Sequence, residues 1–207
     1  MENIAENIIA PEIINEAMDY DEYRQMIDKL VGQDKTTGDN HSEEMVHYTK
    51  MNVQRMKRLD KRVELSDSLV EALNDLDEGW IWLVLTEAWC GDAAQNIPPI
   101  VKIADKSEHI DLRFILRDEH LDIMDEYLTN GGRSIPKLIC LDAETFEEIG
   151  TWGPRPEAAQ EKAMEWKNDD HISKEEWAKK LHKWYAKDRT NELQWEFKEM
   201  ISEWKKN

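Results

Sequence analysis

The sequence predicts an α/β fold in which a mixed β-sheet lies among helices. An apolar run at 81–85 is followed by a helical segment and then by alternating apolar residues at 110–116, the order of a parallel βαβ unit. Later in the chain, two extended segments flank a turn at 142–144 and predict an antiparallel hairpin. Helical spacing of apolar residues on both sides of this region predicts added helices at the two termini.

Residues 1–62 predict an N-terminal helical extension. Apolar spacing indicates a helix over 12–30 that is broken near Asp19, and a second helix over 42–61. Five cations lie near the end of the second helix: Arg55, Lys57, Arg58, Lys61 and Arg62. Cations favour a helix C-terminus, so capping and pairing with nearby acids is the preferred interpretation. A site for an anion or an acidic partner is the alternative.

Residues 63–155 predict the domain that contains the sheet. Its expected elements are, in chain order, a helix at 66–76, a strand at 80–87, a helix at 91–107 bent at Pro98-Pro99, a strand at 110–116, a helix at 118–130 capped by Asp118, and strands at 137–141 and 146–152. The first two strands are expected to be parallel and the last two antiparallel.

Residues 156–207 predict a C-terminal helical extension that packs on the same domain. The expected helices span about 156–167, 173–187 and 191–205. Ser173 and Glu176 form a capping-box pattern at the start of the second helix. The tryptophans of this region, at 166, 177, 184, 195 and 204, are spaced as in amphipathic helices that pack on a core, rather than as an exposed aromatic strip.

Composition narrows the range of partners and compartments. The 207 residues carry a formal net charge of −18, which argues against nucleic acid and anionic membranes because both attract Lys and Arg. The segment 1–6 lacks the features of a signal peptide, and no apolar stretch is long enough to span a bilayer, so a cytoplasmic protein is expected. The six histidines show no metal-ligand spacing; neither a metal nor another cofactor is expected.

Cys90 is the candidate catalytic residue. It lies in the sequence Trp-Cys-Gly-Asp-Ala at 89–93, where the predicted strand gives way to a helix, and backbone N–H groups at a helix start lower the pKa of a thiol. A resolving cysteine would lie three residues on, but Ala93 is there, so Cys90 cannot close a disulfide within its own turn. The other cysteine, Cys140, lies in an apolar strand and is expected to be inert.

Two segments resemble the thioredoxin superfamily. Residues 81–98 are similar to its active-site region, with a buried strand, Trp-Cys-Gly and a helix that contains Pro98. Residues 134–139, Ser-Ile-Pro-Lys-Leu-Ile, look like the family segment whose cis proline faces the active-site cysteine. The resemblance covers about 63–155 and implies a thioredoxin-like fold, a three-layer α/β/α arrangement with a mixed sheet. The whole chain is also similar to bacterial thioredoxin-like proteins that have Trp-Cys-Gly-Asp and extra helices at both ends.

The resemblance assigns roles to residues around Cys90. It implies a substrate-binding surface formed by Trp89, Gly91, Asp92, Ile135 and Pro136. The ring of Trp89 would shield the sulfur, and a cis Pro136 would leave the Ile135 backbone free to pair with an extended substrate.

Two departures from the family pattern concern proton transfer. The buried acid that the family has six residues before its cysteine is replaced by Val84. Asp92 takes the position of the usual proline, and its carboxylate, with that of Glu87, is expected to oppose thiolate formation. We therefore expect a less acidic thiol than in a thioredoxin with two cysteines.

Two functions remain open from the sequence. The first is monothiol thiol–disulfide exchange with a protein or a small thiol, which requires an external thiol for turnover. The second is a non-catalytic thioredoxin-fold binding or scaffold module. An exposed Cys90 beside a cis Pro136 would favour the chemistry, whereas a Cys90 covered by the terminal helices would favour the scaffold.

Overall fold

A computed structural model describes residues 8–205 of the chain. Its helices are α1 (Pro11–Glu16), α2 (Tyr20–Val31), α3 (Glu43–Arg62), α4 (Asp67–Asn74), α5 (Gly91–Ala104), α6 (Leu121–Glu126), α7 (Glu157–Lys167), α8 (Lys174–Asp188) and α9 (Asn191–Trp204). Its strands are β1 (Trp80–Thr86), β2 (Ile110–Leu116), β3 (Lys137–Asp142) and β4 (Glu148–Trp152). The predicted α/β fold with added terminal helices is confirmed. Among the described helices, none combines the length and the apolar character needed to cross a bilayer.

The four strands form one mixed sheet in the order β2-β1-β3-β4. Strand β1 is parallel to β2 and antiparallel to β3, and β4 is antiparallel to β3. All seven residues of β1 are buried, because the strand is central in the sheet and helices cover both faces. The loop after β1 therefore emerges from the centre of the molecule, and this loop leads directly into Cys90 and α5.

The N-terminal extension covers the outer edge of β2. Met18, between α1 and α2, exchanges two backbone hydrogen bonds with Phe114, at 2.9 and 2.8 Å. Tyr23 of α2 stacks on the Phe114 ring at 5.3 Å between centroids. The predicted break near Asp19 is confirmed, since Asp19 forms a capping box with Glu22 at the start of α2. This edge of the sheet is thus paired by the chain itself.

The C-terminal helices divide between two apolar clusters. Helix α9 joins the main core through Phe197, whose ring lies 5.3 Å from that of Trp82 and 5.2 Å from that of Trp152. Helices α7 and α8 instead share a small separate cluster formed by Ala159, Ala163, Leu181 and Tyr185. Trp195 is 59% exposed, so the expectation that every C-terminal tryptophan packs on a core is wrong for this residue.

The predicted helix over 118–130 is wrong in its start, cap and length. A single 3-10 turn, Arg117–Glu119, precedes the six-residue helix α6. Asp118 does not cap a helix, because its carboxylate pairs with Arg117 at 2.7 Å and its backbone N–H donates to Glu87 Oε1 at 2.9 Å. The ion pair with Arg117 and the long-range hydrogen bond to Glu87 therefore hold Asp118 in the 3-10 turn, and α6 begins only at Leu121.

Two other boundaries also differ from the prediction. Helix α5 ends at Ala104 rather than at 107. Strand β4 begins at Glu148 rather than at 146, because Asp142 Oδ1 accepts hydrogen bonds from the backbone N–H groups of Glu144 and Thr145 and so tightens the preceding turn.

Candidate functional site

Cys90 is the N-cap residue of α5, and its thiol faces a cis proline. The Ile135–Pro136 peptide bond is cis, as the resemblance implies. Cys90 Sγ donates a hydrogen bond to the carbonyl oxygen of Ile135 at 3.3 Å and accepts one from the backbone N–H of Ala93 at 3.4 Å. The sulfur is therefore held between the first turn of the helix and the segment before Pro136.

The thiol of Cys90 is buried and protonated at neutral pH. It is 9% exposed, and its pKa is raised from an ordinary 9.0 to about 12. Burial is the largest cause and the Asp92 carboxylate is the second, while the N–H groups of Ala93 and Asp92 and the charge of Arg155 act in the opposite direction. The expected effect of Asp92 is present, but desolvation outweighs it. The helix start alone does not activate this cysteine.

Asp92 is engaged by the C-terminal part of the chain. Its Oδ2 forms an ion pair with Arg155, and its Oδ1 accepts a hydrogen bond from the Tyr185 hydroxyl at 2.7 Å. Asn96 Nδ2 donates to the Tyr185 oxygen at 3.1 Å and to the Pro154 carbonyl at 3.2 Å. These contacts connect the start of α5 to the segment before α7 and to α8. The carboxylate predicted to meet substrate thus contacts its own chain.

Helices from both extensions lie against Gly91. A Cβ atom at this position would lie 3.5 Å from His182 Cε1 of α8 and 3.8 Å from Arg55 Nη1 of α3. Arg55 donates to Asn52 Oδ1 at 2.6 Å, and Asn52 Nδ2 donates to the Ala88 carbonyl at 3.0 Å. We call Arg55, His182 and Tyr185 the site cover. The structure therefore answers the question that the sequence left open: the terminal helices cover the face that carries Cys90.

The environment of His182 differs from the sequence prediction, which explains most histidines as surface residues on helices. Its pKa is lowered from 6.5 to about 4, first by burial and second by the charge of Arg55. Its Nε2 lies 3.3 Å from Arg55 Nη2, and because the ring is neutral this nitrogen can accept a hydrogen bond from the guanidinium. His182 is thus a neutral partner for Arg55 at the site.

Trp89 remains partly exposed beside the sulfur. The guanidinium carbon of Arg117 lies 4.9 Å from the centroid of its ring, within cation–π distance. The same guanidinium donates to the Arg133 carbonyl at 3.2 Å and pairs with Asp118. One face of the aromatic surface expected to meet a partner is therefore already occupied by an arginine.

A buried acid is present near Cys90, but not at the position six residues before it, where the family resemblance predicts one. Val84 is fully buried in β1, where its partners are Phe114 and Leu138. Glu87, in the loop before Cys90, is also fully buried, and burial raises its pKa. Its Oε2 has no hydrogen-bond partner among the described residues. The sequence interpretation treated Glu87 only as a neighbouring charge and missed its burial.

Four site residues were missed by the sequence analysis as parts of the site: Arg55, Arg155, His182 and Tyr185. Each lies far from Cys90 in the chain and outside the Trp-Cys-Gly-Asp-Ala motif at 89–93. The cation cluster near the end of α3 is the one available signal in the sequence, but it does not indicate that Arg55 lies against Gly91 at the start of α5.

The described part of the chain contains no cluster of side chains that could hold a metal ion. Among residues 8–205, no three His, Cys, Asp or Glu side chains converge as a metal site would require. Cys140 is fully buried in β3, and burial raises its pKa, so its thiol is protonated and inaccessible in this structure.

Comparisons with known proteins agree with the fold. The sequence model of a family described as thioredoxin matches residues 38–170. A solved structure of a Pseudomonas aeruginosa protein of unknown function, PA1234, is 19% identical, with 98% of each chain covered and a TM-score of 0.60. An HIV epitope-scaffold is 18% identical over 92% of this chain and 96% of that one, with a TM-score of 0.58. A search of curated proteins finds no match.

The two solved structures share the fold with this chain, and at these identities the likeness extends no further. The family match spans the strand before Cys90, the whole of α5 and the cis-proline segment. Because it covers more than half of the residues, the chain belongs to the thioredoxin family.

Proposed function

We propose that this protein is a thioredoxin-like monothiol exchanger that forms a mixed disulfide at Cys90. One observation carries the proposal: the sulfur lies at the first turn of α5, 3.3 Å from the carbonyl oxygen that precedes cis Pro136. This arrangement puts the nucleophile beside a backbone segment that an extended partner can pair with. The proposed partners are protein disulfides and small disulfides.

The proposed reaction has two exchange steps. In the first, the Cys90 thiolate attacks a partner disulfide, an S–S bond forms to one sulfur, and the other sulfur leaves as a thiolate that takes up a proton. Ala93 supplies no second thiol, so an external thiol attacks the mixed disulfide in the second step. That step releases Cys90 as a thiolate and leaves the external thiol joined to the first partner. The external thiol is the reductant of the cycle.

Reaction requires the site cover to open, because the buried thiol is protonated and blocked from a partner. Two features support such an opening. Helices α7 and α8 share a small apolar cluster of their own, separate from the main core. At the start of α5, α8 contributes polar contacts, the Tyr185 bond to Asp92 and the His182 contact with Arg55. Separation of α8 would therefore break these polar contacts and part the small α7–α8 cluster, whose buried residues are not among those of the main core.

A second candidate function is favoured by the burial of Cys90. A thiol that is 9% exposed with a pKa of about 12 suits a binding or scaffold module that has kept the fold without the chemistry. In that case the terminal helices that cover the site stay in place permanently. The two candidates differ in whether Cys90 ever reacts in the folded protein.

The test is adduct formation with glutathione disulfide, followed by intact-protein mass spectrometry under native conditions. We expect one glutathione adduct, lost in Cys90→Ser and retained in Cys140→Ala, the matched control at the buried strand cysteine. Release of the adduct by added glutathione would complete the cycle. No adduct on the native chain, or an adduct that persists in Cys90→Ser, would contradict the proposal and favour the binding module.

A further inference from the structure

A cleft of about 840 Å³ lies between the end of α3, the second turn of α5 and the turn that joins α8 to α9. Its volume falls within the range of roughly 300–1,000 Å³ that is usual for small-molecule sites. The buried residues that line it are Gln95, Asn96, Pro156, Tyr185 and Leu193. Cys90 is not among the lining residues, so the cleft does not reach the thiol, although it shares Tyr185 with the site cover.

The rim of this cleft is cationic in a strongly acidic chain. Four exposed cations line it, Arg58, Lys61, Arg62 and Arg189, and none forms an ion pair with a described residue. Two acids also line it, Glu64 and Asp188. Asp188 Oδ1 already accepts a hydrogen bond from the Glu192 N–H at 3.2 Å, at the start of α9. The cations therefore outnumber the carboxylates by two.

Gln95 adds a side-chain hydrogen-bond donor to the wall of the cleft. Its side chain is 7% exposed and lines the cavity, yet its amide has no hydrogen-bond partner in the described part of the chain. The neighbouring Asn96 differs, because its amide donates to both Pro154 and Tyr185. The Gln95 amide is therefore free to donate a hydrogen bond to an acceptor bound in the cleft.

We propose that this cleft, which we call the cationic cleft, binds a small anion with at least two negative charges, carried by phosphate or carboxylate groups. Arginine side chains on the rim provide charge-assisted hydrogen bonds to such groups, and the Gln95 amide donates from the buried wall. The enclosed volume suits a small molecule better than an extended acidic chain. The proposal does not depend on any reaction at Cys90.

Calorimetric titration of the full chain with pyrophosphate and with citrate tests the proposal. We expect saturable binding of at least one anion, weakened by added sodium chloride because the attraction is screened. The anion that binds with the higher affinity identifies phosphate or carboxylate as the preferred group. Binding of neither anion at millimolar concentration would overturn the proposal.

Substitutions of its lining residues test whether the anion binds in the cationic cleft. Arg58→Ala combined with Arg189→Ala should weaken binding about tenfold or more, since charged hydrogen bonds are lost. The control, Lys29→Ala combined with Lys106→Ala, removes the same charge from exposed positions outside the cleft and should leave affinity unchanged. Gln95→Leu should also weaken binding. Equal weakening by the control pair, or unchanged affinity in both cleft variants, would overturn the assignment of the site.

Discussion

At the scale of single residues, two opposing influences act on the sulfur of Cys90. The N–H groups of the first turn favour the thiolate, but the sulfur has little contact with water and lies near the Asp92 carboxylate. Desolvation prevails because the low-dielectric surroundings penalise a charge more than two weak N–H···S contacts stabilise it. The motif predicts Cys90 as the candidate nucleophile, and the surrounding packing sets the pKa of its thiol.

The raised pKa predicts how alkylation of Cys90 depends on pH. Because the group is protonated below a pKa of about 12, the rate with iodoacetamide should rise about tenfold for each pH unit through the range in which the fold persists. Peptide mapping of the labelled residue separates Cys90 from Cys140. A plateau at or below pH 9 would show an ordinary or activated thiol and contradict this prediction.

Restoring a second cysteine tests whether the rest of the site is intact. Ala93 N lies 3.4 Å from Cys90 Sγ, one helical turn away, so Ala93→Cys should allow a disulfide within the turn. We expect loss of free thiols on mild oxidation and a gain of insulin reductase activity. The control carries both Cys90→Ser and Ala93→Cys and should show neither effect. An unpaired second thiol would indicate that the site is too closed to react.

At the scale of elements, α8 is the C-terminal helix that contacts the start of α5. Its Tyr185 hydroxyl is buried, donates to Asp92 and accepts from Asn96, and burial raises its pKa well above the ordinary value. The hydroxyl therefore remains protonated and keeps its donor role throughout the ordinary pH range. The contact between α8 and α5 therefore includes two hydrogen bonds that share this one hydroxyl.

Removing that hydroxyl should loosen the site cover. Tyr185→Phe deletes the 2.7 Å bond to Asp92, which should lower the free energy of unfolding by about 1 kcal/mol and increase the alkylation rate of Cys90 severalfold. Urea denaturation and timed alkylation measure the two effects.

A matched control removes a tyrosine hydroxyl elsewhere. Tyr127 donates to Glu148 at 2.8 Å on an exposed part of the molecule, so Tyr127→Phe should leave Cys90 reactivity unchanged. Equal reactivity of Cys90 in both variants would show that α8 does not limit access to the thiol.

At the scale of the whole molecule, α9 is part of the main core rather than an appendage. Phe197 packs between Trp82 and Trp152, and Trp204 lies over Gly150 of β4. The aromatic rings of this last helix complete one face of the sheet. Removal of the helix would therefore expose the tryptophans of β1 and β4 to water.

The close approach of α9 to β4 predicts a strong effect of one added methyl group. A Cβ at Gly150 would overlap the Trp204 indole, so Gly150→Ala should lower the free energy of unfolding by about 1–3 kcal/mol. Gly132→Ala is the control, because its Cβ would meet the Thr129 carbonyl at an ordinary 3.5 Å. Guanidinium denaturation compares the two variants, and similar losses would contradict tight docking of α9 at this glycine.

Local patterns in the sequence predict most of the fold and only part of the site. The apolar run of β1, the alternation in β2 and the capping box at Ser173 each act within a few residues, and the corresponding elements are present. The bonds of Asp92 to Arg155 and Tyr185 join positions that are 63 and 93 residues apart, so no periodicity indicates them. The 3-10 turn at Asp118 was missed for the same reason, since its partner Glu87 lies 31 residues earlier.

The burial of Cys90 also bears on the lifetime of the thiol under oxidative conditions. Peroxide oxidises cysteine to sulfenic and sulfinic acids by reacting with an exposed thiolate. The sulfur of Cys90 is neither exposed nor ionised at neutral pH, so it should react slowly. While α8 stays in place, the Cys90 thiol should therefore remain reduced for longer than an exposed cysteine with a low pKa. In the proposed exchange, a partner that displaces the site cover would therefore meet a Cys90 thiol that has not already been oxidised.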